Sequence, residues 1–322
     1  MKFTTQVLIP LSNIIISHDH PLSLMGSCFT QNIGAKLIEY KFDVNINPNG
    51  IIFNPISLVK ALKRIFSNQL YAEKELNQHN EKWFSFDHHG SFSSLKKEDC
   101  LEQINTSLTN ANSLFVNTKT IFITFGSAWV YEYPEFGIVA NCHKIPNKQF
   151  TKRLLSVKEI LTVFDEIKEL MNDLNIIFTV SPVRHVKDGL HENNLSKSIL
   201  LLAINNLVEQ NENYHYFPAY ELVVDELRDY RFYKDDLVHP TDLAINYVWD
   251  KFCESFFNEK TNNINTEIQK IKSAVKHIPF SCENKSYQKF LTKQIQLIDK
   301  LSIQYPFLDF EQEKKSLLKY YI

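Results

Sequence analysis

Glycine is scarce in this chain, with seven residues in 322. Each remaining one is therefore a signal. Gly26, Gly50 and Gly126 follow or end an expected strand, where unusual backbone angles or close approach to a ligand are needed. Cysteine is limited to Cys28, Cys100, Cys142, Cys253 and Cys282, an odd number without paired spacing. That excludes a disulfide framework and fits reduced thiols. No apolar run reaches the roughly 18 residues that cross a membrane. The opening "MKFTTQVLIPLSNIIISHDHPL" has one early Lys, is interrupted by Pro10 and lacks a small-residue cleavage site. It is not read as a signal peptide, and a cytoplasmic location is expected. Charge is also absent as an excess: the net value is −2, which gives neither a basic field for nucleic acid nor an acidic tail. Lys152-Arg153 and Lys314-Lys315 lack the interleaved aromatics of single-strand binders.

What the chain does have is apolar content, 44%, ample for a large core. Residues 22–25 read as a short buried strand. Residues 29–40 read as a helix with Phe29, Ile33, Leu37 and Tyr40 on one face. A second strand in 42–50 closes at Pro48 and Gly50. A helix follows with Asn54 as cap and Pro55 in its first turn. Residues 81–93 carry Trp83, Phe84, Phe86 and Phe92 and read as an aromatic β-ribbon or ordered loop. Residues 96–115 read as a helix. "TIFITFGSAW" is a buried strand ending at Gly126, and a long polar and aromatic loop is expected through 150. Residues 156–174 read as a helix, "NIIFTVSPVRH" as a buried strand, and 193–210 as a helix capped by Asn193 or Asn194. "YHYFPAYEL" holds a further strand, 227–240 a polar loop and 241–258 a helix. Beyond 259 the chain is Asn-rich and then charged and helical, with no strand. Short strands alternating with helices predict an α/β fold: three α/β/α layers around a short, mostly parallel sheet. That domain is expected over 1–258, with a helical extension over 259–322 packed on it.

In such sheets ligands bind beyond the C-terminal strand ends. Those ends carry Gly26-Ser27-Cys28, Asn49-Gly50, Gly126-Ser127 and "SPVRH" at 181–185. The last polar loop adds Asp236 and His239. A serine hydroxyl needs a base within hydrogen-bond reach, and the base needs an orienting partner. Asp236 can hold the His239 ring while its other nitrogen faces Ser27. The N–H of Ser27 and the positive helix end can meet a developing oxyanion. Taken singly, each feature has a plainer reading: Ser27 as a helix cap, and Asp236-x-x-His239 as a turn with a local hydrogen bond. The chain contains no G-x-S-x-G, the mid-chain elbow of α/β-hydrolases. A nucleophile at the first strand's exit with a late D-x-x-H instead resembles the SGNH hydrolases.

Six ordered stretches make the resemblance specific: "GSCF" at 26–29, "NGIIFNP" at 49–55, "TFGSAWVY" at 124–131, "ANCHKIP" at 140–146, "TVSPVRH" at 179–185 and "DLVHPT" at 236–241. Together they resemble the GSCFA family, which is itself similar to the SGNH (GDSL-type) esterases. Thr30 stands where the family's name has Ala. The resemblance spans roughly residues 20–250 and leaves the tail after 258 outside. It implies Ser27 as nucleophile, Gly50 as an oxyanion-hole glycine, and Asp236 and His239 as acid and base. The Asn that SGNH enzymes present after the third motif's glycine is missing from "GSAW"; Asn141 is the candidate replacement.

The expected activity is that of a serine esterase acting on a small acyl ester, by family analogy an acetyl group on a carbohydrate. An O-acyltransferase would use the same acyl-enzyme, and a non-catalytic glycan-binding module is the reading from a different class. Cys28 is weighed as a thiol nucleophile and set behind Ser27, because adjacent residues at a turn point in different directions. Gly126, Trp129, His143, Arg184 and His185 are expected to line the pocket, Arg184 suiting a carboxylate, phosphate or sugar hydroxyl. Trp129 and Tyr131 read as core or as a stacking surface for a sugar ring. His18-Asp19-His20 is expected at the surface, and no metal is expected. No cofactor, nucleic-acid partner or membrane partner is implied, and the sequence sets no oligomeric state.

Overall fold

The computed structural model describes residues 4–9, 12–277 and 284–321; Cys282 lies outside them. Five strands form one parallel sheet: β1 (Leu22–Gly26), β2 (Val44–Ile46), and, after two short strands outside it, β5, β9 and β10. Those two, β3 (Asn77–His79) and β4 (Lys82–Phe84), pair as a hairpin. β5 is Thr120–Phe125, β9 is Asn175–Val180 and β10 is Tyr214–Tyr216. The spatial order β10-β9-β5-β1-β2 reverses direction between β1 and β5. A doubly wound sheet leaves a crevice there, above the carboxyl ends of its strands.

Strand alternation sends side chains to two cores. Met25, Ile121, Ile123, Phe125, Ile176 and Phe178 face one side. They pack under α2 (Pro55–Ser67), α3 (Lys97–Phe115), α4 (Val157–Asp165) and α5 (Leu190–Glu209). Leu22, Leu24, Phe122 and Ile177 face the other, against α1 (Cys28–Glu39) and, beyond the three-residue α6 (Ala219–Glu221), α7 (Asp242–Phe256). The expected three-layer α/β architecture is what the chain adopts. In the tail, α8 (Glu259–Lys276), α9 (Lys285–Gln304) and α10 (Glu311–Leu318) build a third core of their own. It sits on α1 through Lys272–Glu39 at 2.8 Å, Lys41–Glu313 at 2.6 Å and Tyr40.

Local chemistry explains the boundaries. Asn54 caps α2 by accepting from the Ser57 N–H at 2.8 Å, with Pro55 at the first position, as its residues predict. α5 departs from expectation. It starts at Leu190 after Gly189, whose φ of +101° suits glycine, and Asn193 lies inside it, accepting from the His185 N–H. The segment expected as a loop through 150 is instead partly a second sheet. β6 (Trp129–Tyr133) pairs antiparallel with β7 (Gly137–Val139) and with β8 (Thr151–Leu154).

Candidate active site

At the crevice between β1 and β5 lies a cavity of about 560 Å³. Its walls include Cys28 from the start of α1, Asn54 from the cap of α2, and Ser127, Trp129, Tyr131, Asn141 and Cys142 from the second sheet and its loops. Arg184, His185 and Lys187 come from the loop after β9, and Asp236 and His239 from the loop before α7. Six chain segments from residue 28 to residue 239 thus meet at one spot.

The Asp236–His239 pair is built within its own loop. Asp236 Oδ1 accepts the backbone N–H groups of Val238 and His239, each at 2.9 Å. Its Oδ2 lies 2.6 Å from His239 Nδ1. These donors hold the carboxyl at about 2, below its ordinary value. The loop is pinned by Lys234 N–H to His239 O at 2.8 Å and Thr241 N–H to Phe232 O at 2.8 Å. The motif is a turn with a local hydrogen bond, and it leaves Nε2 as the ring nitrogen not committed to Asp236. Among the described residues no hydrogen bond joins that ring to Ser27 or Cys28.

The first-strand turn does not place its hydroxyl as expected. Ser27 is 1% exposed and is not among the cavity walls. Its extended backbone makes it the N-cap of α1, and Oγ accepts the Phe29 N–H at 3.3 Å. The physical reason is local: an N-cap side chain turns back over the helix start, while the next residue projects outward. That next residue is Cys28, half-buried and on the cavity wall. Burial pushes its thiol up, opposed by the charge of Lys197 and by the N–H groups of Cys28 and Phe29. As the first residue of α1, Cys28 also carries one of the helix-start N–H groups that lack an intrahelical partner.

Other expected residues divide. Gly50 is not on the wall: with φ +75° it closes a turn, its N–H donating to Asn47 O at 2.6 Å. Gly126 lies behind the wall, its N–H committed to Phe53 O at 2.8 Å. His143 turns away, stacks on Phe84 at 4.1 Å and bonds Ser85 O through Nε2; burial holds its ring at about 4. Asn141 is on the wall, with Oδ1 accepting from the His143 N–H at 2.8 Å. Trp129 and Tyr131 are wall residues, Tyr131 also packing against the cluster of Phe84, Phe86, Val139 and Ile145, and the Lys152 ammonium lies over their rings at 4.6 and 5.8 Å. Arg184 and His185 line the cavity, Arg184 without an ion pair among the described residues; burial holds His185 at about 4. His18, expected at the surface, is 8% exposed, stacks on Phe42 at 3.9 Å and bonds Tyr40 O.

Two residues escaped the sequence reading. Asn54, expected as a cap, also faces the cavity. Lys197 was hidden in a helical pattern; it is 2% exposed and donates to the carbonyls of Gly126 at 2.7 Å and Ser181 at 2.8 Å. A lysine at the i+3/i+4 spacing of a buried face was the available signal.

The GSCFA family model matches residues 21–252, and the model of its C-terminal domain matches residues 268–321. The chain belongs to the GSCFA family. The tail, expected to lie outside the resemblance, is thus part of what this GSCFA protein shares with its family. A comparison with curated proteins finds no match. No helix among the described residues of this GSCFA chain is long and apolar enough to cross a membrane.

Proposed function

We propose that the cavity catalyses acyl transfer from a small ester, with Cys28 rather than Ser27 as nucleophile and His239 as base. The observation that carries this reading is the 2.6 Å contact between Asp236 and His239 on the wall of a cavity shared with a helix-start thiol. Asp236 keeps Nδ1 protonated, so Nε2 is the acceptor. His239 takes the thiol proton and the thiolate sulfur attacks the ester carbonyl. The C–O bond then breaks, and His239 returns the proton to the departing alkoxide. A water or a second hydroxyl, deprotonated by His239, cleaves the thioester and restores the thiol.

The negative oxygen of the tetrahedral intermediate has three candidate donors: the Cys28 N–H at the positive end of α1, the Ser127 hydroxyl and Asn141 Nδ2. Arg184 and Lys187 on the wall form no ion pair among the described residues and favour a substrate rich in oxygen, such as a carboxylate, phosphate or sugar. A purely glycan-binding role is less supported, because Lys152 already covers the ring face of Trp129.

Hydrolysis of p-nitrophenyl acetate tests the reading. Cys28→Ala and His239→Ala are expected to lower kcat at least about 10³-fold, while Ser27→Ala retains turnover. An acyl adduct at Cys28 should appear by mass spectrometry. A Cys28→Ala protein with the parental rate, or loss of turnover confined to Ser27→Ala, would return the role to the serine.

A further inference from the structure

We propose that Ser196, which is not on the cavity wall, is a positioning residue: it fixes the Ser127 hydroxyl as a hydrogen-bond donor into the cavity, where that donor meets the oxyanion of acyl transfer. This rests on the acyl-transfer reading of the site, and not on which residue is its nucleophile. Ser127 lies just past the end of β5, on the cavity wall, and is 5% exposed. Ser196 belongs to the buried face of α5 and is 2% exposed. Their Oγ atoms are 3.3 Å apart. Helix α5 holds the turn after β5 at further points. Ser196 Oγ accepts the Ala128 N–H at 2.7 Å, Lys197 Nζ donates to Gly126 O at 2.7 Å, and Glu192 O accepts the Trp129 Nε1–H at 3.2 Å.

A proton count decides which hydroxyl donates. Each serine oxygen has one proton to give and two lone pairs with which to accept. Ser196 Oγ already accepts from Ala128, and among the described residues the only acceptor for its own proton is Ser127 Oγ. Were Ser127 the donor instead, the Ser196 proton would be buried without a partner and carry the full desolvation penalty. Ser196 therefore donates to Ser127. Ser127 Oγ also accepts the Trp129 N–H at 3.0 Å. Both of its lone pairs are then filled, and its own proton has no acceptor among the described residues. That proton is left for whatever occupies the cavity.

Strand register brings this donor beside the turn that carries the nucleophile. Gly26 on β1 is opposite Thr124 on β5, and the Ser27 N–H donates to Thr124 O at 3.2 Å. Cys28 and Ser127 follow two and three residues after this pair, on neighbouring strands that lie about 4.8 Å apart. Both reach the same wall. A donor held there before the substrate arrives needs no reorganisation when negative charge develops on the carbonyl oxygen. Ser127 keeps its proton throughout and gives a hydrogen bond only.

The test compares p-nitrophenyl acetate with its thionoester, whose C=S sulfur is a poor hydrogen-bond acceptor. Ser127→Ala is expected to lower kcat for the ester about 10²-fold and to slow the thionoester far less, so that the ester-to-thionoester ratio falls at least about tenfold. Ser196→Ala leaves the Ser127 hydroxyl free to rotate, and the ratio should fall about threefold or more. Ser196→Thr keeps a hydroxyl and should recover most of that loss. A purely structural role slows both substrates equally, and an unchanged ratio in either alanine variant overturns the proposal.

Should the Ser196 variants not fold by circular dichroism, Ser127→Ala decides by the same ratio, because a Ser127 proton given to Ser196 could not also serve the substrate. A parent protein that cleaves neither ester removes the acyl-transfer reading and this donor with it. Parental turnover in Cys28→Ala removes only the thiol mechanism, and a ratio lost in Ser127→Ala would still leave the donor standing.

Discussion

At the scale of single residues, Ser27 and Cys28 divide two tasks that one turn must meet. The hydroxyl satisfies a helix-start donor and the sulfur faces the cavity. Ser27→Ala should therefore cost about 1 kcal/mol of stability, the usual value of a lost cap, measurable as a shift in a urea melt. Asp236 is the carboxylate to examine by pH. Its folded value, about 2, lies below its ordinary 3.8. Its contribution is thus complete above about 3.8 and is lost only as pH falls through about 2. The NMR chemical shift of the Asp236 carboxyl carbon should stay constant from pH 8 to 4.5; a titration near 4 would mean the two backbone donors are not engaged. The sequence already carried this pair, because three-residue spacing with an Asx turn is a local property. It sets Cys28 behind Ser27, whereas the structure puts Cys28 and not Ser27 on the cavity wall. Two neighbours separated by one backbone rotation have the same composition and spacing, and only the helix start fixes which points outward.

Secondary elements meet most tightly where β1 leaves the sheet. Gly26 has φ +137°, and a Cβ there would sit 2.1 Å from Thr124 O. Gly26→Ala is expected to lower the thermal midpoint by an amount matching several kcal/mol, through strain and a forced separation of β1 from β5. A melt within a degree of the parent would show that β1 can shift. This element was legible, since a rare glycine closing an apolar run signals such a position. So was α2, with its Asn54-Pro55 start. The antiparallel β6–β8 sheet is not legible in the sequence. Its strands are three to five residues long, too short for a periodic signal to accumulate. α5 starts three residues before its expected 193, because its start depends on a glycine angle, not a capping side chain.

For the whole molecule, a buried set of neutral histidines sets the response to acid. His88 is 1% exposed, and burial holds it at about 3, below its ordinary 6.5. The unfolded chain then binds a proton that the folded one refuses. Stability falls as pH falls from about 6.5 toward 3 and is flat above that window. His143 and His185, both near 4, act in the same direction. His88 alone contributes a slope approaching about 1.4 kcal/mol per pH unit. Thermal melts should descend between pH 7 and 5, and His88→Gln should flatten the descent. A midpoint constant across that interval would mean these rings are charged inside the fold. The layered α/β plan was legible from alternating strand and helix patterns. The dependence of the cavity on six distant segments was not, because strand order is a three-dimensional outcome.

On the proposed thiol mechanism, the half-buried sulfur on the cavity wall would make this molecule sensitive to peroxide. A thiolate that can attack an ester can equally take an oxygen atom from hydrogen peroxide, releasing water and leaving a sulfenic acid. Cys142 shares the wall, but burial pushes its thiol up to about 11. Peroxide should therefore oxidise position 28 first, and dithiothreitol should restore ester cleavage. An enzyme working through a hydroxyl would be indifferent to both reagents.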